Sequence, residues 1–415
     1  MDCLLPLLFL GQPEALPPWA FEPPIQLQSP QKRETMTGKT LYGNPFPNQI
    51  YSDNFTVGWE NGQSDSAAAN AAINALEITW NALISEMDWQ APVSSESHFV
   101  WVILTNDLSG TGFTTVYTDE NFPQGYPVIY LNPAYSNNAD FWASLAAHEM
   151  AHAIQYSYRS YATNAEEPWY WEASAEWQAE LSLPNNNSYG YQSTHYAENP
   201  QLRYSSMKDN HQYGMFVLNA YIEEYISGPG TLREIWEHAQ SAPNSNWGEV
   251  IPEALDQKIG KLIAGMAQKM ASLAFQDGAH YVSPIREGKL TDGAGGDLAY
   301  LGSHYWDSDR ALRVTASGDV LLSSESNMGS EVILESGETL AVTGLNPSSA
   351  SYTLTLFDLS DSGPDDSGND TGGPNESPTG GCACKSTSSQ KAHTGIFAAM
   401  CLLFLRRRIP NASSR

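Results

Sequence analysis

Between Leu4 and Gly381 the chain has no cysteine; Cys3 lies in one apolar run near an end, Cys382 and Cys384 stand just ahead of another, and Cys401 lies inside it. The body therefore has no disulfide and no thiolate metal site, and its stability must come from packing, with or without bound ions. Basic charge is scarce too, with 20 Lys and Arg against 47 Asp and Glu and a formal net charge of -27. That excludes a nucleic-acid partner, which needs a basic patch, and favours a soluble surface that resists association. Internal repeats and phosphate-cradling glycine loops are also missing. The 415 residues suffice for two domains with cores plus tails.

What is present is an apolar stretch carrying imidazoles and carboxylates, Leu145 to Leu181, LAAHEMAHAIQYSYRSYATNAEEPWYWEASAEWQAEL. Phe141, Trp142, Leu145, Ala146, Met150, Ala153 and Ile154 predict a buried helix in which Glu149 is the one charge. A carboxylate there needs a reason. In a helix His148 and His152 stand one turn apart on one face and can grip a single metal ion. Catalytic zinc usually takes three protein ligands from nitrogen and oxygen donors and keeps a fourth position for water, whose proton Glu149 can take. Continuation as HExxHxxGxxH is excluded, because Gln155 and Tyr158 occupy the glycine and third histidine positions. A second helix opened by Pro168, PWYWEASAEW, supplies Glu172 twenty residues after His152, with Glu176 one turn further on.

HExxH followed by a glutamate on a later helix, with an acidic residue four positions beyond, resembles the gluzincin metallopeptidases, both thermolysin-like and aminopeptidase-like. The resemblance is specific over Leu145 to Glu180 and weaker from His211 to Tyr225. It implies that His148, His152 and Glu172 hold Zn2+, that Glu149 is the general base, and that Glu176 fixes a ligand histidine's tautomer from the outer shell. The chain departs from the pattern at Glu176, which is aspartate in thermolysin-like enzymes. In these families a tyrosine or histidine donates to the developing oxyanion, and HQYGMFVLNAYIEE offers His211 first and Tyr213 second. The implied reaction is zinc-dependent hydrolysis of a peptide or protein substrate. The alternative is a surface binding or adhesion protein on the same fold with little or no turnover.

The flanking patterns predict an α+β fold. A gluzincin-like catalytic domain spans 38–282, with a small mixed sheet, metal-site helices and a helical lower half, and a small all-β sandwich follows at 283–358. Strands are expected at Asn54–Trp59, Phe99–Leu104, Thr114–Thr118 and Val128–Leu131, and a long helix from Ser64 to Met87, capped by Ser64 or Asp65. By the gluzincin resemblance, VIYL at Val128–Leu131 is the candidate edge strand for pairing with substrate backbone; an interior strand is the alternative. Pro184–Gln201 reads as a polar loop, and helices resume at Tyr213–Tyr225, Thr231–Ala239 and Lys258–Phe275. Trp169, Tyr170, Trp171 and Trp177 read as packing beneath the site. Short alternating runs beginning at Ala311, Asp319, Glu331, Thr339 and Ser351 predict the sandwich.

The ends carry other signals. Residues 1–15 read as a secretory signal closed by Ala15, and 16–37 as a proline-rich linker or short propeptide. Residues 359–381 form an acidic low-complexity linker whose aspartates follow no regular loop of calcium ligands. Residues 382–415 bring a Cys motif, an apolar segment from Gly395 to Leu405, and Arg406, Arg407 and Arg408. That segment falls short of the roughly twenty residues that cross a bilayer. The order resembles myxobacterial-type C-terminal sorting tails. It implies processing near Cys382 or Cys384, membrane association through the tail, and export to the cell surface or outer membrane or release outside the cell.

Overall fold

The computed structural model describes residues 46–118, 123, 125–160 and 168–359. The expected signal, the 16–37 segment, the linker beyond Leu359 and the sorting tail lie outside the described residues. Strands β1 (Asn48–Tyr51), β2 (Phe55–Trp59), β3 (Val100–Leu104), β4 (Gly112–Tyr117) and β5 (Tyr126–Leu131) form one sheet in the order β1-β2-β3-β5-β4. β2, β3 and β5 are parallel, with β1 and β4 antiparallel at the edges. The parallel strands are buried on both faces, which is why VWVIL is an unbroken apolar run. One face feeds the main core through Val57, Val102 and Ile129; the other packs Trp101, Tyr126 and Tyr130 against Phe46 and Phe113. VIYL is therefore interior and β4 is the edge. All six residues of β5 are buried, so it needs a neighbour on each side, whereas β4 is only half-buried.

Helix α1 (Ser66–Trp80) is capped by Asp65, which accepts from Ala68 N at 2.8 Å, and runs on into a π-helical turn at Asn81–Glu86. Helix α2 (Ala139–Gln155) starts at Asn138, whose side chain accepts from Phe141 N at 3.2 Å. Trp142 of α2 donates to the Ala68 carbonyl at 3.1 Å and ties the two helices together. Helix α3 (Pro168–Ser182) opens on proline and lies in the middle of the core. Its Trp169, Tyr170, Trp171 and Trp177 are buried, and Asn219 accepts from the Tyr170 hydroxyl at 2.9 Å and donates to Ala173 O at 3.1 Å. A fully buried large apolar side chain contributes about 1.5–3 kcal/mol, so aromatic packing can hold α3 in place while its polar face is left for chemistry.

Helices α4 (Ser193–Ala197), α5 (His211–Gly214), α6 (Phe216–Tyr221), α7 (Thr231–Ser241), α8 (Trp247–Leu255) and α9 (Ile259–Ser272) follow. Pro184–Gln201 is not a plain loop. It holds a 3-10 helix at Asn187–Gln192 and then α4, drawn inward by the buried Tyr189 and Tyr196. Tyr213–Tyr225 is not one helix either, since it breaks at Gly214 and widens into a π-helical turn at Ile222–Ile226. A Cβ at Gly214 would stand 2.4 Å from Tyr196 N, so the approach of α5 to α4 requires glycine. α8 carries Pro252 in its interior, which hides it from a periodicity reading.

Strands β6 (Gly288–Lys289), β7 (Gly295–Leu298), β8 (Ser303–Asp307), β9 (Leu312–Ser317), β10 (Val320–Ser323), β11 (Met328–Gly329), β12 (Glu331–Leu334), β13 (Thr339–Gly344) and β14 (Ala350–Asp358) make two sheets. Their orders are β11-β10-β13-β8-β6 and β12-β9-β14-β7. The architecture is thus α+β with several sheets. The segment after α9 shares the main core through Leu301, Tyr305 and Ala341. Ser323 also donates to Ala264 O at 3.2 Å, and the Tyr196 and Tyr305 hydroxyls meet at 2.7 Å. Among the described residues no helix is long and apolar enough to cross a membrane.

Candidate metal centre

Edge strand β4 is fastened to α2 by Thr114, whose hydroxyl stands 2.8 Å from both Glu149 O and Glu149 Oε2. The i, i+4 spacing then turns two imidazoles toward α3. His148 Nε2 lies 3.0 Å from His152 Nε2, and Glu172 Oε2 lies 3.1 Å from the first and 3.4 Å from the second. Bonds of about 2.0–2.1 Å at tetrahedral angles hold ligand atoms about 3.3–3.4 Å apart. The triangle is therefore the size of one face of a zinc tetrahedron. Among the described residues, His148, His152 and Glu172 form the group of three such side chains able to offer ligand atoms to one ion.

The outer partners decide which nitrogens carry protons. Gln155 Nε2 donates to Trp171 O and Ser174 Oγ at 3.1 Å each, which turns Oε1 toward His152 Nδ1 at 2.8 Å. That nitrogen must be N–H, and Nε2 is left with a bare lone pair. Glu176 Oε1 stands 3.1 Å from His148 Nδ1, at ion-pair distance though not aligned as a hydrogen bond, and accepts from Gln192 Nε2 at 3.1 Å. A carboxylate on that side favours the proton at Nδ1 as well. Two imidazole lone pairs and a carboxylate oxygen thus face one gap. These three atoms meet one another at hydrogen-bond distance, and a divalent cation between them would take all three as ligands.

The electrostatics agree. Burial alone would lower the pKa of both histidines, yet Glu176 and Glu172 raise His148 well above its ordinary value, and Glu172 raises His152. Burial likewise opposes charge on Glu172, but His152 and His148 pull its carboxyl far below the usual range. The pocket calls for positive charge. Glu149, on the same helix, is pushed up by burial against the pull of His152, His148 and the Thr114 hydroxyl. A Cβ at Gly112 would stand 3.0 Å from Glu149 Oε1, so the glycine leaves that oxygen room beside the edge strand. The Glu172 side chain is 20% exposed against 8% and 11% for His148 and His152, so the gap opens on the glutamate side.

Tyr213 and His211 end in different surroundings. The Tyr213 ring lies 5.9 Å from the His148 ring, half-buried. His211 is fully buried and packs 5.7 Å from the Tyr196 ring. Neither of its ring nitrogens makes a well-formed hydrogen bond, although the ring faces the His195 backbone, and burial pushes its pKa down to about 4. Sequence reading missed Thr114, Gln155 and Gln192. Gln155 carried a signal in its place three residues past His152, whereas the fold alone brings Thr114 and Gln192 to the site.

A sequence model described as a family of unknown function, DUF6055, matches residues 28–297, more than half of the chain, and the chain belongs to that family. The matched span includes every residue of the centre. No curated protein matches the chain.

Proposed function

We propose that this DUF6055 member is a zinc-dependent, gluzincin-like metallopeptidase that hydrolyses peptide bonds. The observation that carries the reading is the convergence of His148 Nε2, His152 Nε2 and Glu172 Oε2 within 3.0–3.4 Å of one another, with Glu149 adjacent. His148, His152 and Glu172 would hold the zinc, which would supply an electrophile for the scissile carbonyl and acidify the attacking water. Glu149 takes the water's proton, with Oε2 steadied by Thr114, and delivers it to the leaving amine. Glu176 and Gln155 hold the imidazoles in the tautomer that aims both Nε2 lone pairs inward. Tyr213 is the better-placed donor to the developing oxyanion, and His211 serves packing. The outer edge of β4 offers main-chain groups to an extended peptide.

Export and surface display belong to the same proposal and rest on residues 1–15 and 382–415. The test is cleavage of a mixed peptide library by the full chain. Cleavage that stops on chelation, returns with zinc and is abolished in a zinc-retaining Glu149→Gln variant supports the reading. A chain that holds zinc and cleaves nothing leaves the surface-binding alternative, and chelator-insensitive cleavage overturns the zinc mechanism.

A further inference from the structure

The polar face of α3 does not end at the metal centre. Glu180 lies one turn beyond Glu176 and is 5% exposed, with Oε2 buried and without a well-formed hydrogen bond, although the Tyr189 hydroxyl lies near its carboxyl. The hydroxyls of Tyr189 and Tyr281, residues that are 1% and 6% exposed, are likewise buried and make no well-formed hydrogen bond, although they lie close to each other. These groups are close neighbours. The Tyr189 phenol feels Glu180 and Asp277 and faces the Tyr281 hydroxyl, and Glu180 feels Asp277. The Tyr189 and Tyr281 rings meet edge to face at 6.1 Å. Glu224, whose Oε2 accepts from Gln276 N at 2.9 Å, adds a further carboxylate in the field of Asp277. Among the described residues, none of the largest electrostatic contributions to Glu180, Glu224, Tyr189 or Tyr281 comes from a lysine, arginine or histidine.

Three buried oxygens that face one another without a well-formed hydrogen bond, beside a second carboxylate, make an oxygen-lined cluster. We propose that Glu180, Asp277 and the Tyr189 and Tyr281 hydroxyls form a second, oxygen-only metal site that takes Ca2+. An all-oxygen donor set selects a hard cation. Calcium suits it better than magnesium, which demands near-ideal octahedral geometry and keeps several waters, because the donors come from four separate places and three of them are buried. Asp277 is only half-buried and gives the ion a way in. Without the ion, burial and then Asp277 push the Glu180 carboxyl up to about 8.

The site joins two segments that already touch. Ser193 Oγ accepts from Val282 N at 2.7 Å and donates to Gly190 O at 2.6 Å, and a Cβ at Gly190 would stand 2.8 Å from His280 O. An ion bridging Glu180, Tyr189 and Asp277 would lock the 3-10 helix Asn187–Gln192, which also carries the Gln192 amide that meets Glu176. Only that coupling to the zinc centre rests on the metallopeptidase reading; calcium binding does not.

The experiment titrates full-length, zinc-loaded protein with Ca2+ or Mg2+ and follows the melting temperature, alongside Tb3+ luminescence sensitised by Tyr189 and Tyr281. Zinc content is measured on the same samples. The expected result is a rise of about 3–8 °C that saturates with Ca2+ and not with Mg2+, together with Tb3+ emission that Ca2+ competes away. Both are lost in Asp277→Asn at unchanged zinc content; this variant tests the idea at a half-exposed position if Glu180→Gln does not fold. No calcium-dependent shift in the wild type overturns the proposal. So does an equal shift in Asp277→Asn, which would assign binding elsewhere, for instance to the acidic stretch at 359–381. Zinc present with no calcium effect refutes this site alone, whereas a calcium effect in a chain that binds no zinc refutes the metal centre and leaves this site standing.

Discussion

Glu172, Glu176 and Glu180 stand one turn apart along the same face of α3, yet the two ends of the row are built differently. At Glu172 the donors mix nitrogen with oxygen, and outer amides and carboxylates orient both imidazoles. At Glu180 the proposed donors are all oxygen, and three of them make no well-formed hydrogen bond. On the function proposed above, the first end would take a small ion that prefers nitrogen and a fixed tetrahedron. The second suits a larger ion that accepts irregular oxygen coordination. On these two proposals, one amphipathic helix held by aromatic packing on its other side would present two kinds of chemistry without altering its backbone.

The largest effect should come at the first end. Glu149→Gln is expected to lower peptide cleavage by about 10²–10⁴-fold while metal analysis shows zinc retained. Equal losses of zinc and activity would make Glu149 a structural residue. Next, Glu176→Ala should weaken zinc binding by about 10–100-fold in competition with a fluorescent chelator. A smaller change would mean that Gln155 alone carries the orientation of the pair.

The smallest effect separates the two ends by pH. Glu180 has its folded pKa raised to about 8, above the ordinary value of 4.5, so its contribution to stability is fully present below the unfolded value and is lost as pH rises through the folded one. In calcium-free buffer the melting temperature should therefore carry a component that declines between about pH 4.5 and 8, and Ca2+ should remove it. Glu180→Gln should flatten the same slope in melting scans across that range. A slope unchanged by both treatments would detach Glu180 from any role in stability.

Much of the first end was legible in the sequence because its signals are local. The i, i+4 histidines, Pro168 at a helix start and the run of aromatics each follow from helix geometry, and α2 and α3 fall where the periodicity predicts. The edge strand was not legible. VIYL and TTVYT both read as strands, and only the antiparallel return of β4 onto β5 decides which of them is outermost. Asn187–Gln192 stayed hidden for a different reason. Its polar composition reads as loop, and its inward pull comes from Tyr189 packing on Phe216 and Tyr281, residues far away in sequence. Gln192 and Asp277 owe their places to that packing, so no local pattern could have pointed to them.

X-ray absorption at the zinc edge, on full-length protein purified without added metal and then loaded with one equivalent of zinc, tests the central claim most directly. Two imidazole nitrogens and a carboxylate oxygen at about 2.0–2.2 Å are predicted, with the oxygen contribution reduced in Glu172→Ala. A chain that takes up no zinc, or a shell without two imidazoles that is unaltered by Glu172→Ala, would contradict the account.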